Sequence, residues 1–159
     1  MIFGMALVIE SPVIMLLTAS TALSRDWNSY HKLWRLMTWL SLALTLIHTA
    51  IAFTPLYDWI VTQIIKAPED IIEPGRIGMQ IMTPWTWAIA HRRFHQGVLI
   101  RFGHAETVGW GTGVRLVTDA ILLGIGVWLQ KYAGIVVAAT AVATGVIAEA
   151  IYILSLIHI

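Results

Sequence analysis

Arg115 and Asp119 stand four residues apart, so on a helix they share a face and can pair. Both fall inside a long apolar run, where an ionised side chain costs about 2.5–3.5 kcal/mol on insertion scales. The pair reads first as a structural ion pair and second as a contact for a polar ligand. Glu10 lies in another apolar run, two residues before Pro12 and with no cation near it in sequence. An isolated carboxyl beside a helix-opening proline points to function rather than packing. Thr38, Ser41, Thr45, His48 and Thr49 fall within about a third of a helical circumference. Such a stripe either hydrogen-bonds neighbouring helices or lines a polar cavity. Glu10, Thr18, Thr21 and Ser24 make a second stripe, and Thr112, Arg115, Thr118 and Asp119 a third. Glu149 is expected near the end of the last apolar run, towards the cytoplasmic side.

His91 and His95 have the spacing of two metal ligands, but Arg92, Arg93 and Phe94 lie between them. The glutamate of the metalloprotease motif is missing, and two cations would oppose a metal ion. Arg92, Arg93, Arg101 and His104 read instead as a basic cluster for lipid headgroups or an anionic substrate. No nucleophile–base–acid order or phosphate loop is present, so an enzyme is not expected. No cofactor or metal site is expected. The chain has no cysteine, which excludes disulfides and thiolate–metal sites.

The elements that hold these residues follow from composition. Of 159 residues 58% are hydrophobic and 12% charged, about half the charged share of a soluble domain. The net charge of +1 argues against a nucleic-acid partner. Spans need about 20 apolar residues. Five are expected: Ile2–Ser24, Leu33–Phe53, Ile77–Phe102, Val108–Leu129 and Tyr132–Ile153. The fold class is all-α, a polytopic membrane helix bundle with lipids around it. Strands are not expected, because the runs are too long and do not alternate.

Arg25, Lys32 and Arg35 crowd the first connection and Arg92, Arg93 and Arg101 the third, whereas the second is net acidic. The bias towards cytoplasmic Lys and Arg puts the first and third inside and the N-terminus outside. Trp27, Trp34, Trp59, Trp85 and Trp110 fit an interfacial belt. Leu56, Trp59, Ile60, Ile64 and Ile65, between Pro55 and Pro68, form either a short interfacial helix or a bent continuation of the second span. Gly109 with Gly113, and Ala141 with Gly145, are spaced for close helix contact.

Several segments together resemble one family. They are the ESPVIMLLTASTALSR stretch from Glu10 to Arg25, the HTAIAF stretch from His48 to Phe53, and Pro84–Trp85. The run RRFHQGVLIR from Arg92 to Arg101, Gly109, Gly111, Arg115–Leu116 and the GVIAE end at Glu149 complete the set. The chain is similar, up to about Ile153, to bacterial transporters of the multidrug/oligosaccharidyl-lipid/polysaccharide superfamily, which includes the MATE exporters. Within it the chain resembles the branch related to the progressive ankylosis protein. That resemblance implies twelve helices in two six-helix lobes, a central cavity and alternating access in a bacterial inner membrane. This chain would then be the second to sixth helices of the first lobe, its partners being a preceding helix and a second lobe of the same parent protein. The implied function is export of a small-molecule or ionic solute, an organic or phosphate-bearing anion being a candidate. The alternatives are a lipid-linked precursor flippase and a non-transporting scaffold. Candidate substrate- or ion-binding residues are Glu10, Thr45, His48, Thr49, Arg92, Arg93, Arg115, Asp119 and Glu149. Of these, Glu10, Asp119 or Glu149 would suit proton coupling. Leu154–Ile159 resembles one translated frame of a transposase end sequence used in sequencing libraries, and is expected to be a non-native tail.

Overall fold

The computed structural model describes residues 1–156; His158 and the rest of 157–159 lie outside the described residues. All regular structure among them is helical: α1 (Ile2–Leu23), α2 (Trp27–Phe53), α3 (Leu56–Trp59), α4 (Ile72–Ile81), α5 (Thr83–Arg101), α6 (Ala105–Leu129) and α7 (Gly134–Ser155). Four of these, α1, α2, α6 and α7, are long and apolar enough to cross a membrane. The fold is the expected all-α bundle, with two departures.

The first departure concerns the expected third span. It is two helices, α4 and α5, meeting at Met82. Pro84 sits in the first turn of α5, where its missing N–H costs nothing, and the chain re-enters a helix there. At 19 residues α5 is about 28 Å long, close to the thickness of a bilayer core. It is nonetheless too polar to count as a span by composition. Its neighbours resolve the conflict: α1, α2 and α7 pack around it, and the side chains from Phe94 to Leu99 are all buried. In lipid the polar helix goes inside and the apolar helices go outside.

The second departure lies between α2 and α4. The second span begins six residues earlier than expected, at Trp27, with the Asp26 carboxylate accepting the Ser29 N–H at 2.8 Å. It ends at Phe53 rather than running through Pro55, and Thr54 takes an extended conformation. A short separate helix follows as α3, which loosens into a π-helical stretch over Ile60–Ile65. Leu56, Trp59, Ile64 and Ile65 are exposed, whereas Tyr57 and Val61 are buried. The Tyr57 hydroxyl donates to the Ile72 carbonyl at 3.0 Å and Asp58 pairs with Arg76, which ties this segment to α4.

Close packing uses other glycines than expected. A methyl at Gly109 or Gly113 would meet open space. A methyl at Gly97 of α5 would collide with Ser20 and the Leu17 carbonyl of α1, and one at Gly145 of α7 with Asp119 of α6. Of the glycines expected at close contacts, Gly145 is at one and Gly109 and Gly113 are not. The rotation of α6 decides it by turning Gly111, Arg115 and Gly126 towards α7 instead.

Candidate functional site

Two polar clusters lie inside the bundle, both built on α5. The first is ionic. Arg92, midway along α5 and 4% exposed, pairs with the fully buried Glu149 of α7. Gln96, one turn further on, donates its amide to the other Glu149 oxygen at 2.8 Å. Arg115 of α6 brings its Nε to 3.8 Å from the Glu149 carboxylate. These contacts correct three expectations. Arg92 and Arg93 are not in the connection after α5; they sit inside the bundle, and Arg101 and His104 alone supply its basic groups. Glu149 is not an end residue at a membrane surface but the hub of the cluster. Arg115 makes its ion pair with Glu149, not with Asp119, because α7 presents a carboxylate where sequence spacing offered only the one on its own helix.

Beside this hub is a cleft of about 260 Å³ lined by Phe3 and Leu7 of α1, Trp85, Ile89, Arg92 and Arg93 of α5, Arg115 and Asp119 of α6, and Val142 and Val146 of α7. Trp85 is 2% exposed and stacks on Phe3, centroids 5.6 Å apart, so it belongs to this wall and not to the aromatic belt. Trp27, Trp34, Trp59 and Trp110 are exposed, as a belt requires. Among the described residues Arg93 has no carboxylate within 4 Å. Its Nε, the Nε atoms of Arg92 and Arg115, and one Asp119 oxygen are buried without a hydrogen-bond partner. With both carboxylates ionised, three guanidiniums leave one positive charge in excess around the cleft. A buried guanidinium with free donors matches the oxygens of a carboxylate or phosphate.

The second cluster is a hydrogen-bonded chain across four helices. The His48 Nε2 of α2 donates to the Met79 carbonyl of α4 at 3.0 Å. Its Nδ1 lies 2.9 Å from the Thr86 hydroxyl of α5, which lies 3.0 Å from Oε1 of Glu10 on α1. Glu10, His48 and Thr86 are each fully buried. Glu10, which has no partner in sequence, thus has one in space.

The polar stripes converge only in part. Ser41 and His48 of α2 are buried and Thr45 and Thr49 half-buried, so the face points inward. Thr49 donates to the Thr45 carbonyl of its own helix, however, and among the described residues the Thr45 hydroxyl has no partner. Only His48 of that stripe bonds to another helix, and Thr45 and Thr49 reach neither cluster. On α1, Thr21 bonds the Gly97 carbonyl at 3.2 Å, whereas Thr18 is exposed. Thr112 and Thr118 bond carbonyls of α6 itself. His91 and His95 stack at 5.9 Å, with the His95 Nδ1 donating to the His91 carbonyl. Among the described residues no three metal-ligating side chains come together. Sequence reasoning missed Gln96 and Thr86. The spacing of Gln96 one turn from Arg92 was a usable signal; Thr86 carried none.

Comparison with known proteins finds no family model that matches the chain, no similar curated protein and no similar solved structure.

Proposed function

We propose that the chain is part of the first lobe of a MATE-like secondary transporter, and that its arginine cleft binds a small anionic solute exported by alternating access. Arg93 carries this reading. It is a guanidinium in the middle of a helix shielded by three others, facing a cleft, without a carboxylate of its own. An unpaired charge at that depth is expensive, and intramembrane ionisable groups of this kind mark substrate pathways. A scaffold would gain nothing from it, since a fully paired or apolar core is more stable. The resemblance to the progressive ankylosis branch supports the same choice of substrate. It also supplies the rest of the machine: a preceding helix and a second lobe, against which this one would rock in a bacterial inner membrane.

Calorimetric titration of the chain in lipid nanodiscs tests the reading. Inorganic phosphate, pyrophosphate and citrate serve as probes, with chloride as the control. At least one polyanion should bind, and Arg93→Gln should weaken it about tenfold or more, as loss of a charge-assisted bond worth about 1.5–3 kcal/mol implies. Equal heats for wild type and variant would remove the cleft from the mechanism.

A further inference from the structure

The chain from Glu10 to Met79 fixes its own proton count. A carbonyl only accepts, so the His48 Nε2 that faces Met79 carries a hydrogen. The Thr86 hydroxyl has one proton and two neighbours, Oε1 of Glu10 and Nδ1 of His48. If Glu10 were a carboxylate and His48 neutral, both neighbours would be acceptors. One hydroxyl proton satisfies one of them and leaves the other bare in a site from which water is excluded, a costly arrangement. Two placements avoid this. In one, the Glu10 carboxyl donates to Thr86 and Thr86 donates to Nδ1. In the other, an imidazolium donates to Thr86 and Thr86 donates to a carboxylate. The two contain the same number of protons: from the first to the second the acidic proton passes from Glu10 to Nδ1 of His48 and the Thr86 hydroxyl turns from His48 to Glu10. The second leaves a charged pair at low dielectric, with the other Glu10 oxygen, Oε2, lacking any donor. The first is neutral throughout and is the resting form.

We propose that Glu10, Thr86 and His48 form a binding site for one exchangeable proton. Its surroundings are consistent with a single exchangeable site. From α5, Arg92 is already held by Glu149 of α7. From α4, besides the Met79 carbonyl, Gln80 is engaged with the Ala52 carbonyl at 3.3 Å. Of the carboxyls in the bundle, Glu149 is saturated by Arg92 and Gln96, and Asp119 borders the open cleft. Emptying the site strands an acceptor, so proton loss must be accompanied by movement of one of its walls. Among the walls, α1 has a gap in its backbone bonding beside Glu10. Pro12 cannot bond the Val8 carbonyl, which is held instead by the Ser11 hydroxyl at 2.9 Å, so α1 lacks the backbone bond that would span Glu10, its two ends each two residues away. As the ion coupled to anion movement, this proton rests on the function proposed above; as a bound proton it does not.

Infrared spectroscopy of the chain in nanodiscs at neutral pH, without added anion, reads the site directly. A carbonyl stretch of a protonated carboxyl should be present, persist in Thr86→Ser and vanish in Glu10→Gln. Nitrogen-15 spectra of the unmutated protein, which do not depend on a variant folding, should show a neutral His48 with hydrogen on Nε2 alone. An imidazolium paired with an ionised Glu10 would keep the count of one proton and support the site. An ionised Glu10 beside a neutral His48 would overturn it. Arg93→Gln should leave these signals unchanged, which separates failure of the proton site from failure of the anion cleft.

Discussion

Helices α5 and α6 follow each other in the chain and are of comparable length, yet they solve opposite problems. α5 carries Arg92, Arg93, His91, His95 and Gln96 and is buried by its neighbours. α6 is long and apolar and lies at the edge of the bundle: of its residues only Gly111 is fully buried, and Leu116, Val117, Ile121, Val127 and Trp128 are exposed. In water the placement would be reversed. In hydrocarbon there is no gain from hiding leucine, but there is a large penalty for exposing a guanidinium. The polar helix becomes the core, and the least polar face of the bundle becomes its outside.

Breaking this contrast should cost most at the hub. Glu149→Ala strands Arg92 in the interior, and removal of one partner of a buried pair costs about 3–5 kcal/mol. The expected result is a large drop in unfolding midpoint in detergent; a shift no greater than that of a surface variant would show that Arg92 finds water. Next comes the outer helix. Val117→Arg places a charge on the lipid face of α6 and should lower membrane insertion by about 2.5–3.5 kcal/mol. A glycosylation-tagged insertion assay measures this, and unimpaired insertion would mean that the face is covered or wet. The smallest effect compares two glycines. Gly97→Ala forces α5 off α1 at Ser20 and Leu17 and should destabilise by about 1–3 kcal/mol. Gly109→Ala meets nothing on α6 and should be neutral or slightly stabilising through helix propensity. Equal midpoints for the two would contradict the packing described for α5.

Much of the fold was legible in the residues. Four long apolar runs specify four spans with ends displaced by a few residues, because a 20-residue greasy segment has few alternatives in a bilayer. The break at Met82 was not legible, since the apolar character runs on through Ile77 to Ile89 and only Pro84 hints at it. Of the candidate site residues, Arg92, Arg93, Arg115, Asp119 and Glu149 come together around one cleft or its hub, and Glu10 meets His48. Thr45 and Thr49 do not join them. Helical spacing placed Thr45 and Thr49 on the right face, but the Thr49 hydroxyl turns back to the Thr45 carbonyl of its own helix, and only the longer His48 side chain of the three bonds to another helix.

What the sequence determined by itself is the solvent of this protein and the list of groups that must be kept out of it, because hydropathy and charge are properties of single residues and short runs. Which carboxylate meets which cation was decided only by tertiary structure. Arg115 could reach Asp119 on its own helix yet turns to Glu149, and Glu10 meets Thr86 and His48 across gaps of 76 and 38 residues in the chain of contacts. Such pairings depend on the rotation and height of whole helices, which side-chain spacing along one helix does not encode.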